Sequence, residues 1–132
     1  MVACGGGSES SSTPSDTLDQ AAIAQGERVY QANCATCHGA DGEGQPNWQS
    51  PGPDGVYPAP PHDSSGHTWH HSDELLLEII RRGGQEVYGS ETVRSGMPAW
   101  GDRLSADEMR AVLAYLKTLW GPDEREFQAA LE

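Results

Sequence analysis

Two cysteines three positions apart, with a histidine directly after the second, constrain this chain more than any other stretch: Cys34-Ala35-Thr36-Cys37-His38. That spacing is the signature of covalent haem c attachment. Each thiol adds across one haem vinyl group, the two intervening residues span the edge of the macrocycle, and the adjacent imidazole is delivered to the iron. Thioether bonds let a small chain hold a large apolar group permanently. Other uses of the pair need partners. A structural zinc site wants four ligands, with a second cysteine or histidine pair, yet the only further cysteine is Cys4. A thioredoxin-like dithiol sits near a βαβ pattern, and nothing in this chain reads as strand-rich.

Around the motif, Gly26, Tyr30, Gly39, Gly42 and Gly44 resemble the opening of small bacterial class I cytochromes c. Ser95-Gly96-Met97-Pro98-Ala99-Trp100-Gly101, followed by Leu113-Ala114-Tyr115-Leu116-Lys117, resembles that family's close. The resemblance spans roughly residues 18–120 and is specific at both ends but loose between them. It implies an all-α class I cytochrome c fold, with three main helices and long loops around one covalent haem c. The function it implies is one-electron carriage in a respiratory or related extracytoplasmic chain, not catalysis. It further implies a close crossing of the first and last main helices, in which the bare Gly26 admits an aromatic, and Tyr115 is placed for that role. In the family a proline carbonyl accepts the second ring N–H of the haem histidine; Pro51, Pro53, Pro58, Pro60 and Pro61 are the candidates here.

The 132 residues fit one domain, but with 36% hydrophobic residues, 16 Gly and 9 Pro the protein part of the core is thin. Small domains bury a modest fraction of their surface and often need a staple. Haem would supply it, so the haem-free chain is expected to be unfolded or molten. The formal net charge of −12 argues against nucleic acid as a partner. It suits a redox partner with a basic docking surface, either a terminal oxidase or a dehydrogenase complex, met by salt-dependent association.

The chain begins Met-Val-Ala-Cys and continues GGGSESSSTPSD over residues 5–16. A Gly/Ser stretch of that length behaves as a flexible tether reaching roughly 20 Å. Val-Ala-Cys before such a tether resembles the site at which bacterial lipoproteins are cleaved and acylated. The expectation is a tether at 1–16 anchored through lipid on Cys4, ahead of a cytochrome domain at 17–132, giving a membrane-associated protein in the periplasm or on the outer face of the cytoplasmic membrane.

Helical spacing of Ile23, Glu27 and Tyr30 marks a first helix over 17–33. The Gly- and Pro-rich run from Gly39 to His71 reads as loop, and NWQSPGPDGVYPAPP (47–61) excludes regular helix or central strand. Ser72 caps a second helix with Leu75, Leu76, Ile79 and Ile80 as its apolar face and Gly83-Gly84 as its stop. Residues 85–104 read as a loop. Ser105-Ala106-Asp107-Glu108 is a capping box opening a third helix to about Trp120, with Met109, Val112, Leu113 and Leu116 inward. Pro122 starts a short tail helix whose apolar residues are Phe127 and Leu131.

An axial methionine beside histidine typifies electron-transfer cytochromes c and raises the potential. Met109 falls on a core stripe, whereas Met97 lies between Gly96 and Pro98, where backbone freedom and then rigidity can aim a thioether. His38 and Met97 are therefore the expected iron ligands. His62, His67, His70 and His71 crowd ten residues and are the rivals; they allow a bis-histidine haem or an added copper or zinc site. Trp69 is a candidate propionate donor through its indole N–H, and His70 or His71 could pair with a propionate. Tyr57, Trp48 and Trp100 are candidate walls of the pocket. The alternatives to an electron carrier are a haem sensor or peroxidase-like enzyme with a labile sixth ligand, or a histidine-based metal-handling module.

Overall fold

The computed structural model describes residues 14–132, with side chains described from residue 19 onward; Cys4 and residues 1–13 of the expected tether lie outside the described residues. In chain order the elements are α1 (Pro14–Asn33), α2 (Ala35–His38), β1 (Val56–Tyr57), a 3₁₀ turn (Thr68–His70), α3 (Asp73–Arg82), α4 (Gly84–Tyr88), β2 (Arg94–Ser95), α5 (Ala106–Lys117) and α6 (Pro122–Ala129). The architecture is predominantly helical, as expected. The first helix begins at Pro14 rather than residue 17.

Helices α1 and α5 form the frame. Ser105 accepts from the Glu108 N–H (3.1 Å) while the Glu108 carboxylate accepts from the Ser105 N–H (2.9 Å), the reciprocal cap that the sequence announces. From that start α5 buries Met109, Val112, Tyr115 and Leu116 against Val29 and Tyr30 of α1, with Leu104 closing the cluster. Burying each such side chain stabilises the fold by about 1.5–3 kcal/mol. The helices can meet this closely because of Gly26: a Cβ there would lie 1.9 Å from the Ala111 carbonyl oxygen. The backbone of Ala111 comes closest, and Tyr115, the aromatic expected there, abuts the gap with its Cβ at 3.0 Å. Its ring leans on Tyr30, with centroids 5.3 Å apart.

Helix α3 is capped by the Ser72 hydroxyl, which accepts from the Leu75 N–H (3.3 Å). Leu76 is buried and Leu77 and Ile80 pack on the α1–α5 cluster, whereas Leu75 is exposed. The expected inward face was therefore rotated by part of a turn. Gly83, at φ +85°, ends the helix as anticipated, but Gly84 opens α4 at once instead of extending the stop. The remainder of 85–104 is not all loop either. Arg94 and Ser95 pair in parallel with Val56 and Tyr57, in register Val56↔Arg94 and Tyr57↔Ser95. A two-residue ladder is too short to show alternation in sequence.

The C-terminal end is tied by polar contacts and by the ring of Phe127, which meets Trp69 and His70 edge-on at 5.3 and 5.2 Å. Gln128 is buried, and its amide donates to Asp73 Oδ1 (2.6 Å) and the His71 carbonyl (3.3 Å). Lys117 reaches the same Asp73 carboxylate at 2.9 Å. Phe127 and Leu131, expected as the apolar contribution of the tail helix, are both exposed. Among the described residues no helix is long and apolar enough to cross a membrane.

Candidate haem site

Helix α2 continues the spiral of α1 past a single break. The Cys34 N–H donates to the Tyr30 carbonyl (2.8 Å), and the His38 N–H to the Cys34 carbonyl (2.9 Å). Cys34, Cys37 and His38 therefore stand at i, i+3 and i+4 and share one face of a helical turn. This is the physical content of the motif: two thiols and one imidazole displayed together without help from distant chain. Tyr30, fully buried, braces the turn from below by donating to the Gly39 carbonyl at 2.6 Å. Its own ionisation is pushed upward by burial first, then by neighbouring acidic groups. Cys34 is half-buried, and burial followed by the nearby Cys37 pushes its thiol up to about 11. It is thus protonated at neutral pH, unlike the depressed thiols of reactive dithiol sites.

The buried His38 donates through Nδ1 to the carbonyl of Pro60 at 2.9 Å. Of the five candidate prolines, Pro60 is the one that backs the histidine. Burial pulls the His38 pKa down, while the Pro60 bond acts in the opposite direction. A neutral ring with its proton fixed on Nδ1 leaves Nε2 as the lone pair available to a metal. The carbonyl of Pro60 is aimed by a ladder on both flanks. Gln45 N–H donates to Ala59 O (2.9 Å), His62 N–H to Gly42 O (2.7 Å) and Gly44 N–H to His38 O (2.7 Å). The Gly- and Pro-rich loop is thus a rigid backing plate for one imidazole.

The four clustered histidines separate into different roles. The His62 ring lies 4.0 Å from that of His38, centroid to centroid. The two rings lie in contact, tilted 35° to one another. Its Nδ1 pairs with Thr68 Oγ1 at 2.7 Å, and its carbonyl accepts from Trp120 Nε1 at 2.9 Å. Burial, and then His38, hold its pKa well below the imidazole range. His67 meets Trp48 edge-on (5.1 Å) and His70 stacks on Trp69 (3.7 Å). Among the described residues no group of three or more His, Cys, Asp or Glu side chains is placed to hold a metal ion, so the metal-handling alternative finds no assembled ligand set. The Trp69 indole N–H donates to the Ser64 carbonyl (3.3 Å).

Met97 is half-buried in the segment after β2. Its N–H donates to Ser95 Oγ (3.2 Å) and its carbonyl accepts from the Gly84 N–H (3.2 Å). Gly83 matters here, because its positive φ and a virtual Cβ only 3.0 Å from the Met97 oxygen leave room for no larger residue. Tyr57 pairs with Ser95 across the two-stranded ladder and so flanks the Met97 segment. Trp100 packs on the α1–α5 cluster and carries the Arg103 guanidinium 5.0 Å above its ring. The bracing residues Gln85 and Tyr88 escaped sequence reasoning, since a polar side chain in a loop carries no periodic signal.

The donor set fits haem c. A half-buried thiol, an exposed thiol and a carbonyl-braced imidazole share one helical face, within a helical shell, which defines the covalent haem c class. Comparison with known proteins agrees. Residues 21–116 match the family described as cytochrome c oxidase, cbb3-type, subunit III. The cbb3-type cytochrome c oxidase subunit FixP of Azorhizobium caulinodans is 33% identical over 116 residues, covering 85% of this chain and 31% of the relative. Cytochrome c6 of Chlorolobion braunii is 30% identical over 101 residues, covering 74% of this chain and 90% of the relative. Cytochrome cL from Hyphomicrobium denitrificans shares the fold, with a TM-score of 0.53 over 84% of this chain and 61% of that one at 21% identity. The chain belongs to the cytochrome c family, whose members bind haem c covalently and transfer electrons. It spans about a third of the length of the oxidase subunits it matches.

Proposed function

We propose that the protein is a one-electron carrier outside the cytoplasm, with a single haem c on Cys34 and Cys37 and axial ligation by His38 and Met97. The observation that carries this reading is the turn Cys34–His38 with His38 Nδ1 held by Pro60 at 2.9 Å. Haem c supplies an iron that cycles between ferric and ferrous. The chain's contribution is to keep both ligand positions fixed through that cycle, so that little rearranges when an electron arrives or leaves. Pro60 fixes the ring orientation and proton position of His38; the segment between β2 and α5 carries Met97; Tyr57 flanks it.

The partner is a terminal oxidase of the cbb3 type, a reading supported by the oxidase subunits among its relatives. With a net charge of −12, the carrier approaches a basic docking surface, and association weakens as salt rises. Lipid on Cys4 keeps the search for that partner at the membrane surface. The optical spectrum of matured protein tests the core of the reading. A haem c spectrum with a sulfur-to-iron charge-transfer band in the ferric state, and a ferrous state indifferent to carbon monoxide, is the expected result. Ready carbon monoxide binding would instead make it a sensor or peroxidase-like haem protein.

A further inference from the structure

We infer that Gln85 and Ser95 form a side-chain clasp that holds the Met97 segment on α4 and sets how readily the sixth iron ligand is exchanged. The inference rests on Met97 being that ligand. Gln85 uses both ends of its amide: Oε1 accepts from the Ser95 N–H at 2.8 Å, and Nε2 donates to the Ser90 carbonyl at 3.3 Å. One side chain thereby closes the loop between α4 and β2 at both its ends. Ser95 passes the constraint on. Its hydroxyl accepts the Met97 N–H at 3.2 Å and pairs with the Tyr88 hydroxyl at 3.0 Å. The Met97 carbonyl is caught in turn by the Gly84 N–H at 3.2 Å.

The fit is tight. A Cβ on Gly84 would fall 2.1 Å from Ser95 Oγ and 2.6 Å from the Tyr88 hydroxyl, so the clasp closes only over a bare backbone. Gly84, Gln85 and Tyr88 of the clasp come from α4, a five-residue helix that contributes no side chain to the α1–α5 cluster. Such a helix has a clear use as a bracket for the ligand segment. Gln85, Tyr88 and Ser95 are positioning residues: they act on the iron through Met97 and do not touch it.

Loss of the Gln85 or Ser95 contacts removes neutral hydrogen bonds that favour the closed segment, which converts to about tenfold or more in ligand exchange. The test is imidazole binding to the ferric holoprotein, read with the charge-transfer band, in the parent and in Gln85→Ala, Gln85→Glu and Ser95→Ala. Gln128→Ala, which cuts the C-terminal tie far from the clasp, serves as the control for general loosening. Gln85→Ala and Ser95→Ala are expected to bind imidazole about tenfold more tightly than the parent. Gln85→Glu, which keeps an acceptor for Ser95 but has no amide donor for Ser90, is expected to fall between, and Gln128→Ala to match the parent. Parental affinity in both alanine variants, or an equal rise in Gln128→Ala, overturns the clasp. A parent protein without the charge-transfer band overturns the assignment of Met97 itself, and the clasp falls with it.

Discussion

The two parts of the chain that would carry the iron ligands are built by different means. His38 sits on a helical turn that continues α1, and its partner carbonyl is fixed by backbone hydrogen bonds on both flanks. The Met97 segment leans more on side chains: one glutamine amide, one serine hydroxyl and one tyrosine hydroxyl stand beside the backbone bonds from Gly84 to Met97, from Trp100 to Ile80 and within the short β1–β2 ladder. Backbone ladders survive most substitutions because every residue brings an N–H and a carbonyl. Side-chain clasps are removed by single changes. The surroundings of His38 are therefore less exposed to single substitutions than the segment that carries Met97.

Substitutions on the two sides should behave accordingly. The largest effect falls on the attachment turn: Cys34→Ala with Cys37→Ala should leave no haem bound through denaturing electrophoresis, and circular dichroism should show loss of most helical order, since the protein core is small. Retention of a cooperative fold in that variant would show that the haem is not the staple it is taken to be. Next comes the frame that carries the turn. Gly26→Val would drive a side chain into the Ala111 carbonyl, already only 1.9 Å from a Cβ, and should cost about 3 kcal/mol or more in unfolding experiments on holoprotein. On the other side, Met97→Ala should leave covalent haem and fold in place while opening the sixth position to carbon monoxide and lowering the reduction potential. An unchanged spectrum would assign the ligand elsewhere.

Smaller effects sharpen the contrast. Trp120→Phe deletes the indole bond to the His62 carbonyl (2.9 Å) on the histidine side, leaving a backbone acceptor without its donor. About 1–3 kcal/mol should be lost in denaturant midpoint measurements. The charge-transfer band should not move, because the ladder around Pro60 remains. A loss of that band would mean that the two sides communicate more closely than their separate supports indicate.

How far the chain could be read in advance follows the same division. The attachment turn, both serine caps, Gly83 as a helix stop and the inward face of α5 were legible, because each is a local pattern with a local physical cause. Pro60 was legible only as one of five, since the choice depends on how Gly42, Gly44 and Gln45 pair with the loop. Ser95 stood in the motif around Met97, but its bond to Gln85 was invisible, as were α4 and the Tyr57↔Ser95 pairing, since contacts over so few residues leave no period to detect. The tail was hard to read for a different reason: Phe127 and Leu131 stand exposed, and much of the tie is made by Gln128, Asp73 and Lys117, polar residues with no periodic signal.

That polar tie gives the smallest and last prediction. His71, whose carbonyl accepts from Gln128, has its pKa lowered, first by burial and then by the neighbouring His70 and His67. Because the folded state holds its proton less tightly than the unfolded chain does, the unfolded chain takes up more protons once pH drops below the ordinary imidazole value of about 6.5. The contribution of His71 to holoprotein stability should be constant above that value and should decline as pH falls from there through its folded pKa. Denaturant midpoints between pH 7.5 and 5 should fall less steeply for His71→Gln than for the parent. Since the group is only half-buried, the difference should be well below the Trp120 effect. Equal slopes would show that His71 does not carry the acid sensitivity of this end, and that the tie rests on the bonds of Gln128 and Lys117 to Asp73 alone.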